Sequence, residues 1–270
     1  MIKLIASDID GTLLPYGENE LSESLFPLIR RLDRAGILFC PASGRQYHSL
    51  RGLFAPVADQ LCFLAENGAI LYGPGAEDTA PILAKTPMPR REAVELSRAI
   101  QALPGCQLLL SGANTSYLCA PPQEYLDFLA QSKGNRVEVL KSPEEMPEEI
   151  LKVSVYCPKG TAEPQEILGP QWGHLGMAAA GPDWVDFTLA DKGTGLRGLC
   201  KALGIGLEEV AAFGDNWNDL PMLAAAGQPW LMDSAPAELR RRFSRQCGDV
   251  PAVLEDFLRD LKKEPVETSL

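Results

Sequence analysis

Short apolar runs alternate along this chain with segments whose apolar residues recur every three or four positions. The runs have the length of buried strands, and the recurring pattern is typical of helices that bury one face. The runs of interest are Ile2 to Ala6, Ile37 to Cys40, Leu61 to Leu64 and Val210 to Phe213. Their alternation with helical segments predicts an α/β fold with a mostly parallel sheet.

The pattern changes between residues 84 and 187, where helical stretches are separated by additional strand-like pieces. The predicted elements there are helices from Arg90 to Ala102 and Tyr125 to Lys133, and strands from Gln107 to Ser111, Arg136 to Leu140 and Leu151 to Cys157. Candidate site residues lie on both sides of this region. We therefore predict a core domain formed by residues 1–83 and 188–270, with an inserted α+β domain at 84–187.

Polar residues follow each of the four apolar runs. In chain order these are Asp8-Ile9-Asp10-Gly11-Thr12, Ser43-Gly44-Arg45, Glu66-Asn67-Gly68 and Gly214-Asp215-Asn216-Trp217-Asn218-Asp219. Ligands of open α/β sheets bind outside the carboxyl ends of the strands, and those ends share one edge in a parallel sheet. We expect the four segments to converge on one site.

Asp8 and Asp10 are the most informative pair in these segments. Side chains alternate across a strand, so both carboxylates point to one face while Ile9 points to the other. A pair so placed can hold a hard cation and take part in covalent chemistry. The alternative interpretation is a turn that ends the first strand, for which aspartate and glycine are common residues.

The charge, the cysteines and the apolar runs of the chain disfavour several kinds of partner and site. The chain has 270 residues, 46% of them hydrophobic, and a formal net charge of −11. This charge disfavours a nucleic-acid or anionic-membrane partner, because both need a basic face. Seven cysteines without Cys-x-x-Cys spacing argue against a disulfide framework and a zinc cluster. No apolar stretch has the length of a membrane span or signal peptide, so we expect a cytoplasmic protein.

Four segments resemble, in order, the motifs of the haloacid dehalogenase superfamily. They are Asp8-x-Asp10-Gly11-Thr12, Ser43-Gly44-Arg45, Lys192-Gly193 and Gly214-Asp215-x-x-Asn218-Asp219. The Glu66-Asn67-Gly68-Ala69 segment and the large insert are similar to the Cof-type branch, which contains sugar-phosphate phosphatases. This resemblance implies a Rossmann-like core with an inserted α/β (type IIB-like) cap.

The roles of Asp8 and Asp10 follow from the residues and agree with the resemblance. A carboxylate at Asp8 can attack phosphorus and form an aspartyl phosphate. Asp10 is placed to protonate the leaving oxygen and later to deprotonate water. For Asp10 the alternative is a residue that only binds metal or ends the turn. Magnesium suits an all-oxygen site.

The resemblance implies the remaining roles. Asp8, Asp215 and the backbone carbonyl of Asp10 would bind Mg²⁺ directly, and Asp219 would act nearby or through water. Lys192 would neutralise Asp8 and the phosphoryl group, although a single lysine more often lies on the surface. Residues expected to contact the phosphate are Thr12, Ser43, Gly44, Lys192 and Asn218. A helix cap is the alternative role for Ser43.

Two departures from the Cof-type pattern stand out. Ser43 occupies a position where threonine is common, and Asp233-Ser234-Ala235 follows Met232 where Gly-Asn-Ala is usual. The second departure places an additional carboxylate near the edge of the expected site. The leading hypothesis is a Mg²⁺-dependent phosphatase of small phosphorylated metabolites. A sugar phosphomutase and a metal- and phosphate-binding module without catalysis are the alternatives.

Overall fold

The computed structural model describes residues 1–261, and the tail from Lys262 to Leu270, which we expect to be frayed, lies outside the described residues. The strands are β1 (Leu4–Ser7), β2 (Leu38–Pro41), β3 (Phe63–Ala65), β4 (Ile70–Tyr72), β5 (Ile82–Lys85), β6 (Gln107–Ser111), β7 (Ser116–Cys119), β8 (Val137–Leu140), β9 (Lys152–Tyr156), β10 (Met177–Ala179), β11 (Trp184–Phe187), β12 (Val210–Gly214), β13 (Gln228–Met232) and β14 (Gln246–Cys247). The α-helices are α1 (Leu25–Arg34), α2 (Tyr47–Leu53), α3 (Arg90–Gln101), α4 (Gln123–Asp127), α5 (Ala162–Trp172), α6 (Lys192–Leu203), α7 (Leu220–Ala225), α8 (Ala237–Arg240) and α9 (Val250–Leu261).

The core sheet has the strand order β14-β13-β12-β1-β2, and each neighbouring pair is parallel. β1 lies between β12 and β2, and all four of its residues are buried. A parallel bridge between Ala42 and Leu64 connects the end of β2 to β3. The polar segments that follow β1, β2, β3 and β12 therefore begin at one edge. The predicted α/β class with a parallel core is confirmed.

Both faces of the core sheet are covered by helices, which explains the continuous apolar strands. Side chains alternate across each strand, so Ile5 and Phe213 pack with residues of α1 and α9. Leu4 and Val210 point the other way and pack with residues of α6 and α7. This double covering fixes the strand register and leaves the sheet edge as the place for chemistry.

A second layer, the cap sheet, has the order β10-β11-β9-β6-β7-β8 and is antiparallel except between β7 and β8. One face of it packs on α3 and α5 through residues such as Leu96, Val153 and Leu168. The other face carries Lys152, Ser154 and Asp186, which line a cavity toward the core. We propose that this layer is the inserted domain, with the boundaries predicted at residues 84–187.

Within residues 1–261, no helix combines the length and the apolar character needed to cross a lipid bilayer.

The Glu66-Asn67-Gly68 turn, which follows β3, packs closely against the start of α6. All three residues have positive φ angles, at 51°, 56° and 96°. A Cβ on Gly68 would lie 2.5 Å from the carbonyl oxygen of Asp191. The turn therefore depends on glycine for both backbone conformation and space.

We predict that Gly68→Ala lowers the free energy of unfolding by about 2–5 kcal/mol, because left-handed strain and a steric clash act together. Gly105→Ala is a matched control, since Gly105 also has a positive φ of 76° but has open space around its Cα. That control should cost only about 1–2 kcal/mol. Urea unfolding of both variants measures the difference, and equal losses would contradict the packing argument.

Candidate active site

A cavity of about 1040 Å³ lies between the core sheet and the cap sheet. Asp8 directly follows β1, Asp215 directly follows β12, and Ser43 lies two residues after β2. These strands are neighbours, and all three residues line the cavity. The structure thus brings together residues that are more than 200 positions apart in the chain.

Lys192 is the first residue of α6 and lies at the bottom of this cavity. Asp191 caps the helix, with its carboxylate accepting the Thr194 N–H at 2.7 Å and its own N–H donating to the Thr194 hydroxyl at 2.9 Å. The Lys192 ammonium donates to Asp8 Oδ1 and, at 2.6 Å, to Asp219 Oδ1. Only 1% of this side chain is exposed, so Lys192 is not the solvated surface lysine of the alternative interpretation.

Asp219 is fully buried and fixes the loop after β12. Its Oδ2 accepts the backbone N–H groups of Asp215 and Asn216, each at 3.0 Å, while its Oδ1 accepts the Lys192 ammonium. Both carboxylate oxygens therefore already have N–H donors. This arrangement suits the indirect role that the resemblance implies for Asp219 better than direct metal binding.

Asp215 faces the cavity beside Asp8. Carboxylate oxygens of Asp8, Asp215 and Asp219 lie within 4.8 Å of one another, which fits a small divalent cation that prefers oxygen ligands. Tyr16 donates its hydroxyl to Asp215 Oδ2 at 2.8 Å, a contact that no sequence pattern indicates. The carboxylate of Asp10 is not part of this group, which leaves its backbone carbonyl as the atom expected to bind metal.

Asp10 forms a bidentate ion pair with Arg45. Nε of Arg45 donates to Oδ2 at 3.0 Å, and Nη2 donates to Oδ1 at 2.5 Å. Both side chains line the cavity and remain partly exposed. A bidentate guanidinium fixes the plane of a carboxylate, so Arg45 orients Asp10. Sequence reasoning does not include Arg45 in the site, although it lies two residues after Ser43 in the same motif.

The residues expected to contact phosphate fall into two groups. Ser43, Gly44 and Asn218 line the cavity with Lys192. The Ser43 hydroxyl accepts the Arg45 N–H at 3.3 Å, and α2 begins four residues later, so Ser43 does not cap that helix. Thr12 instead lies beside Asp215 and donates its hydroxyl to Oδ1 at 3.4 Å.

The additional carboxylate that follows Met232 lies elsewhere. Asp233 donates its backbone N–H to the Cys247 carbonyl at 2.9 Å, at the end of the β13–β14 pair. Its side chain contacts the region of Gly248. Among the described residues that line the cavity, Asp233 is not present, so the expectation of a carboxylate at the site edge is wrong.

Burial is the largest influence on the pKa of Asp8. Loss of solvent raises the pKa of Asp8 to about 7, with Asp219 and Asp215 adding to the rise and Lys192 opposing it. Burial also raises the pKa of Asp215, while the hydrogen bond from Tyr16 opposes that shift. Several carboxylates close together are unfavourable without a cation, and a bound divalent ion would relieve their repulsion.

Comparisons with known proteins identify the family of this chain. A family model described as haloacid dehalogenase-like hydrolase matches residues 5–250. The chain is 28% identical over 238 residues to the 5-amino-6-(5-phospho-D-ribitylamino)uracil phosphatase YbjI of Escherichia coli K12, and the alignment covers 87% of this chain and 86% of that protein.

Two solved structures extend the comparison. A protein from Eubacterium rectale has a TM-score of 0.83 and 29% identity, with 95% of this chain and 99% of that chain covered. The HAD subclass IIB sugar phosphatase BT4131 has a TM-score of 0.77 and 20% identity, with 94% and 98% covered. At this lower identity the likeness to BT4131 shows the fold alone.

The raised pKa of Asp8 predicts an unusual pH dependence of stability in the metal-free protein. The folded state keeps a proton on Asp8 up to about pH 7, whereas an unperturbed carboxyl loses it near 3.8. The stability contributed by this group therefore falls as the pH rises through that window. We expect Asp8→Asn to unfold at higher urea concentration than wild type at pH 8, with little difference at pH 4.5.

Urea titrations in the presence of a chelator measure this effect. In the variant, Lys192 keeps Asp219 as its partner, so the fold should persist. Added Mg²⁺ should stabilise the wild type more than the variant. Parallel pH profiles for the two proteins would contradict the assignment of a raised pKa to Asp8.

Proposed function

Because the chain belongs to the haloacid dehalogenase-like hydrolase family, we propose that it hydrolyses phosphate monoesters of small metabolites through an aspartyl phosphate on Asp8. The observation that carries this proposal is the position of Asp8, which lines the cavity, accepts a hydrogen bond from the Lys192 ammonium and has an oxygen within 4.8 Å of an Asp215 oxygen. Two of the proteins compared above, YbjI and BT4131, are named as phosphatases.

In the first step, a carboxylate oxygen of Asp8 attacks phosphorus in line with the leaving oxygen. The new bond joins that Asp8 oxygen to phosphorus, and the ester bond to the leaving oxygen breaks. Asp10 donates its proton to the leaving oxygen, so an alcohol departs. Lys192 offsets the negative charge near Asp8 during this transfer.

In the second step, a water molecule attacks the aspartyl phosphate. Asp10, now ionised, accepts a proton from this water while the bond between phosphorus and Asp8 breaks. Inorganic phosphate leaves, and both carboxyl groups return to their starting states. Arg45 supports this second step, because its bidentate contact holds the Asp10 carboxylate in one orientation and favours the ionised form that acts as the base.

Donors on the cavity wall suit the phosphoryl oxygens. The Ser43 hydroxyl, the backbone of Gly44 and the Asn218 amide lie along the same cavity as Asp8. Thr12 is better placed to steady Asp215 than to contact phosphate, because its hydroxyl donates to that carboxylate. We therefore assign Thr12 to the support of the metal site.

Charge balance supports Mg²⁺ as the cofactor. Asp8, Asp10, Asp215 and Asp219 place four carboxylates around two cations, those of Lys192 and Arg45. A divalent ion held by Asp8, Asp215 and the Asp10 carbonyl would cancel the excess negative charge. When bound, such an ion offsets charge on the transferring oxygens and so favours the approach of a phosphate dianion.

The substrate class is a small phosphorylated metabolite. YbjI is named for a phosphorylated ribitylaminouracil. The cavity of this chain, about 1040 Å³, has room for a small organic leaving group beside the phosphoryl group. The cap sheet side of the cavity is lined by polar groups such as Ser154 and by the ring of Trp184. The cytoplasmic location that we expect from the sequence stays a prediction.

Asp8→Asn should lower kcat by on the order of 10⁴-fold or more, because an amide cannot serve as the nucleophile. Phosphate release from a panel of phosphorylated metabolites measures the loss. Acid quench of the wild type followed by peptide mass spectrometry should find the phosphoryl group on the peptide that contains Asp8. Full activity in Asp8→Asn would rule out the mechanism, and an isomerised product without free phosphate would favour a phosphomutase.

Asp215→Asn should raise the Mg²⁺ concentration needed for half-maximal activity by about 10 to 100-fold, because it weakens a direct ligand. Chelation should abolish phosphate release by the wild type, and added Mg²⁺ should restore it. Asp233→Asn is the matched control, since Asp233 follows the neighbouring strand β13 but does not line the cavity in the described structure. An unchanged Mg²⁺ requirement in Asp215→Asn would exclude Asp215 as a ligand.

A further inference from the structure

Lys152, the first residue of β9, crosses from the cap sheet to the core. Its ammonium lies 2.6 Å from Glu66 Oε2 and 3.4 Å from Asp186 Oδ2. It also donates a hydrogen bond to the carbonyl oxygen of Gly44 at 3.0 Å. Only 8% of the Lys152 side chain is exposed. A cap residue thus contacts the backbone of the loop that carries Ser43.

Backbone hydrogen bonds also hold the core segment that Lys152 contacts. Within the Glu66-Asn67-Gly68 turn, the Glu66 N–H donates to the Arg45 carbonyl at 3.1 Å, and the Asn67 N–H donates to the Ser43 carbonyl at 2.9 Å. Glu66 and Asn67 both hold left-handed backbone conformations, which persist only where the surroundings enforce them. The turn and Lys152 therefore hold the Ser43-Gly44-Arg45 loop from two sides.

The hydrogen bond to Gly44 sets the direction of a specific peptide group. The Gly44 carbonyl and the Arg45 N–H belong to one planar unit and point in opposite directions. Lys152 holds the carbonyl, and the Arg45 N–H consequently points to the Ser43 hydroxyl, 3.3 Å away. Rotation of this peptide would displace Ser43 and the start of the Arg45 side chain together.

We propose that Lys152 is a positioning residue for the phosphoryl-transfer site. From the cap sheet, it orients the Ser43-Gly44-Arg45 loop and so the donors that face the transferring phosphoryl group. Glu66 holds Lys152 in place as its closest carboxylate. This inference rests on the proposed function, because it assigns those loop donors to the phosphoryl oxygens.

A different role for Lys152 would be charge neutralisation alone. A buried lysine needs carboxylate partners, and Glu66 and Asp186 meet that need without the Gly44 contact. The two roles predict different activities for a variant in which the charges of Lys152 and Glu66 are removed together. If Lys152 only neutralises Glu66, a double variant that lacks the charges of Lys152 and Glu66 should work normally, because the net charge of these two residues and Asp186 is unchanged. If Lys152 orients the loop, that double variant should still be impaired.

The test compares Lys152→Met with the double variant Lys152→Met/Glu66→Gln. We expect both to lower kcat by about 10 to 100-fold with KM changed less than threefold, because misaligned donors mainly affect the transition state. Affinity for orthovanadate in the presence of Mg²⁺, measured by calorimetry, should fall by a similar factor. Circular dichroism and thermal melting confirm folding, and the double variant carries the test if the single variant does not fold.

Chemical rescue provides a second readout. Lys152→Ala removes the ammonium next to an open cavity, so added methylammonium should recover part of the lost kcat. The matched control is Lys85→Met, which removes another lysine that pairs with a glutamate, Glu149, but at a partly exposed position outside the cavity. We expect wild-type kcat and vanadate affinity for this control.

Three results would overturn the proposal. These are a kcat for Lys152→Met within twofold of wild type, recovery of wild-type kcat in the double variant, and a loss of turnover with unchanged vanadate affinity. The proposed function fails separately, if the wild type releases phosphate from no substrate. Vanadate affinity alone then decides whether Lys152 orients the loop.

Discussion

The Lys192 ammonium lies between Asp8 and Asp219, away from solvent, and the rest of the site depends on this arrangement. A buried ammonium without partners would cost several kcal/mol, and the two buried carboxylates would be unfavourable without it. The three residues come from the end of β1, the start of α6 and the loop after β12. Their ion pairs therefore form only when the sheet, the capped helix and the loop are all in place.

A second buried lysine is also paired with two carboxylates, on the cap side of the cavity. Lys152 in β9 also lies between two carboxylates, those of Glu66 and Asp186. Lys192 holds the core side of the cavity in place and Lys152 holds the cap side, before any substrate is present. Charged groups held in this way need little rearrangement during reaction, which is the condition for strong electrostatic catalysis.

The sequence predicts the fold and the family well because both depend on local patterns and their order. The strand from Gln107 to Ser111 has the predicted bounds, and β1 is displaced by only one or two residues from the run Ile2 to Ala6. The resemblance and the enzyme class that the motifs imply are confirmed. The helix predicted from Tyr125 to Lys133 differs more, since α4 ends at Asp127 and a π-helical segment follows from Phe128 to Ser132.

Contacts between distant side chains lie beyond such patterns. Periodicity tells which face a residue occupies, but it does not tell which partner it meets across a loop. The pairs Tyr16 with Asp215 and Arg45 with Asp10 depend on loop paths that only the folded chain defines. Thr12 illustrates the same limit, because its motif position suggests phosphate whereas its hydroxyl meets a carboxylate.

The acidity of the chain does not oppose a phosphate substrate as strongly as its formal charge suggests. Exposed charges more than about 8–10 Å away are largely screened at physiological ionic strength. Inside the cavity, lower solvent exposure makes nearby groups such as Lys192 and Arg45 far more influential. Because the local carboxylates still outnumber these two cations, the phosphate binding that we propose would need a divalent ion as a third positive group. On this proposal, the same excess of carboxylates that would bind the metal would make recognition of phosphate conditional on it.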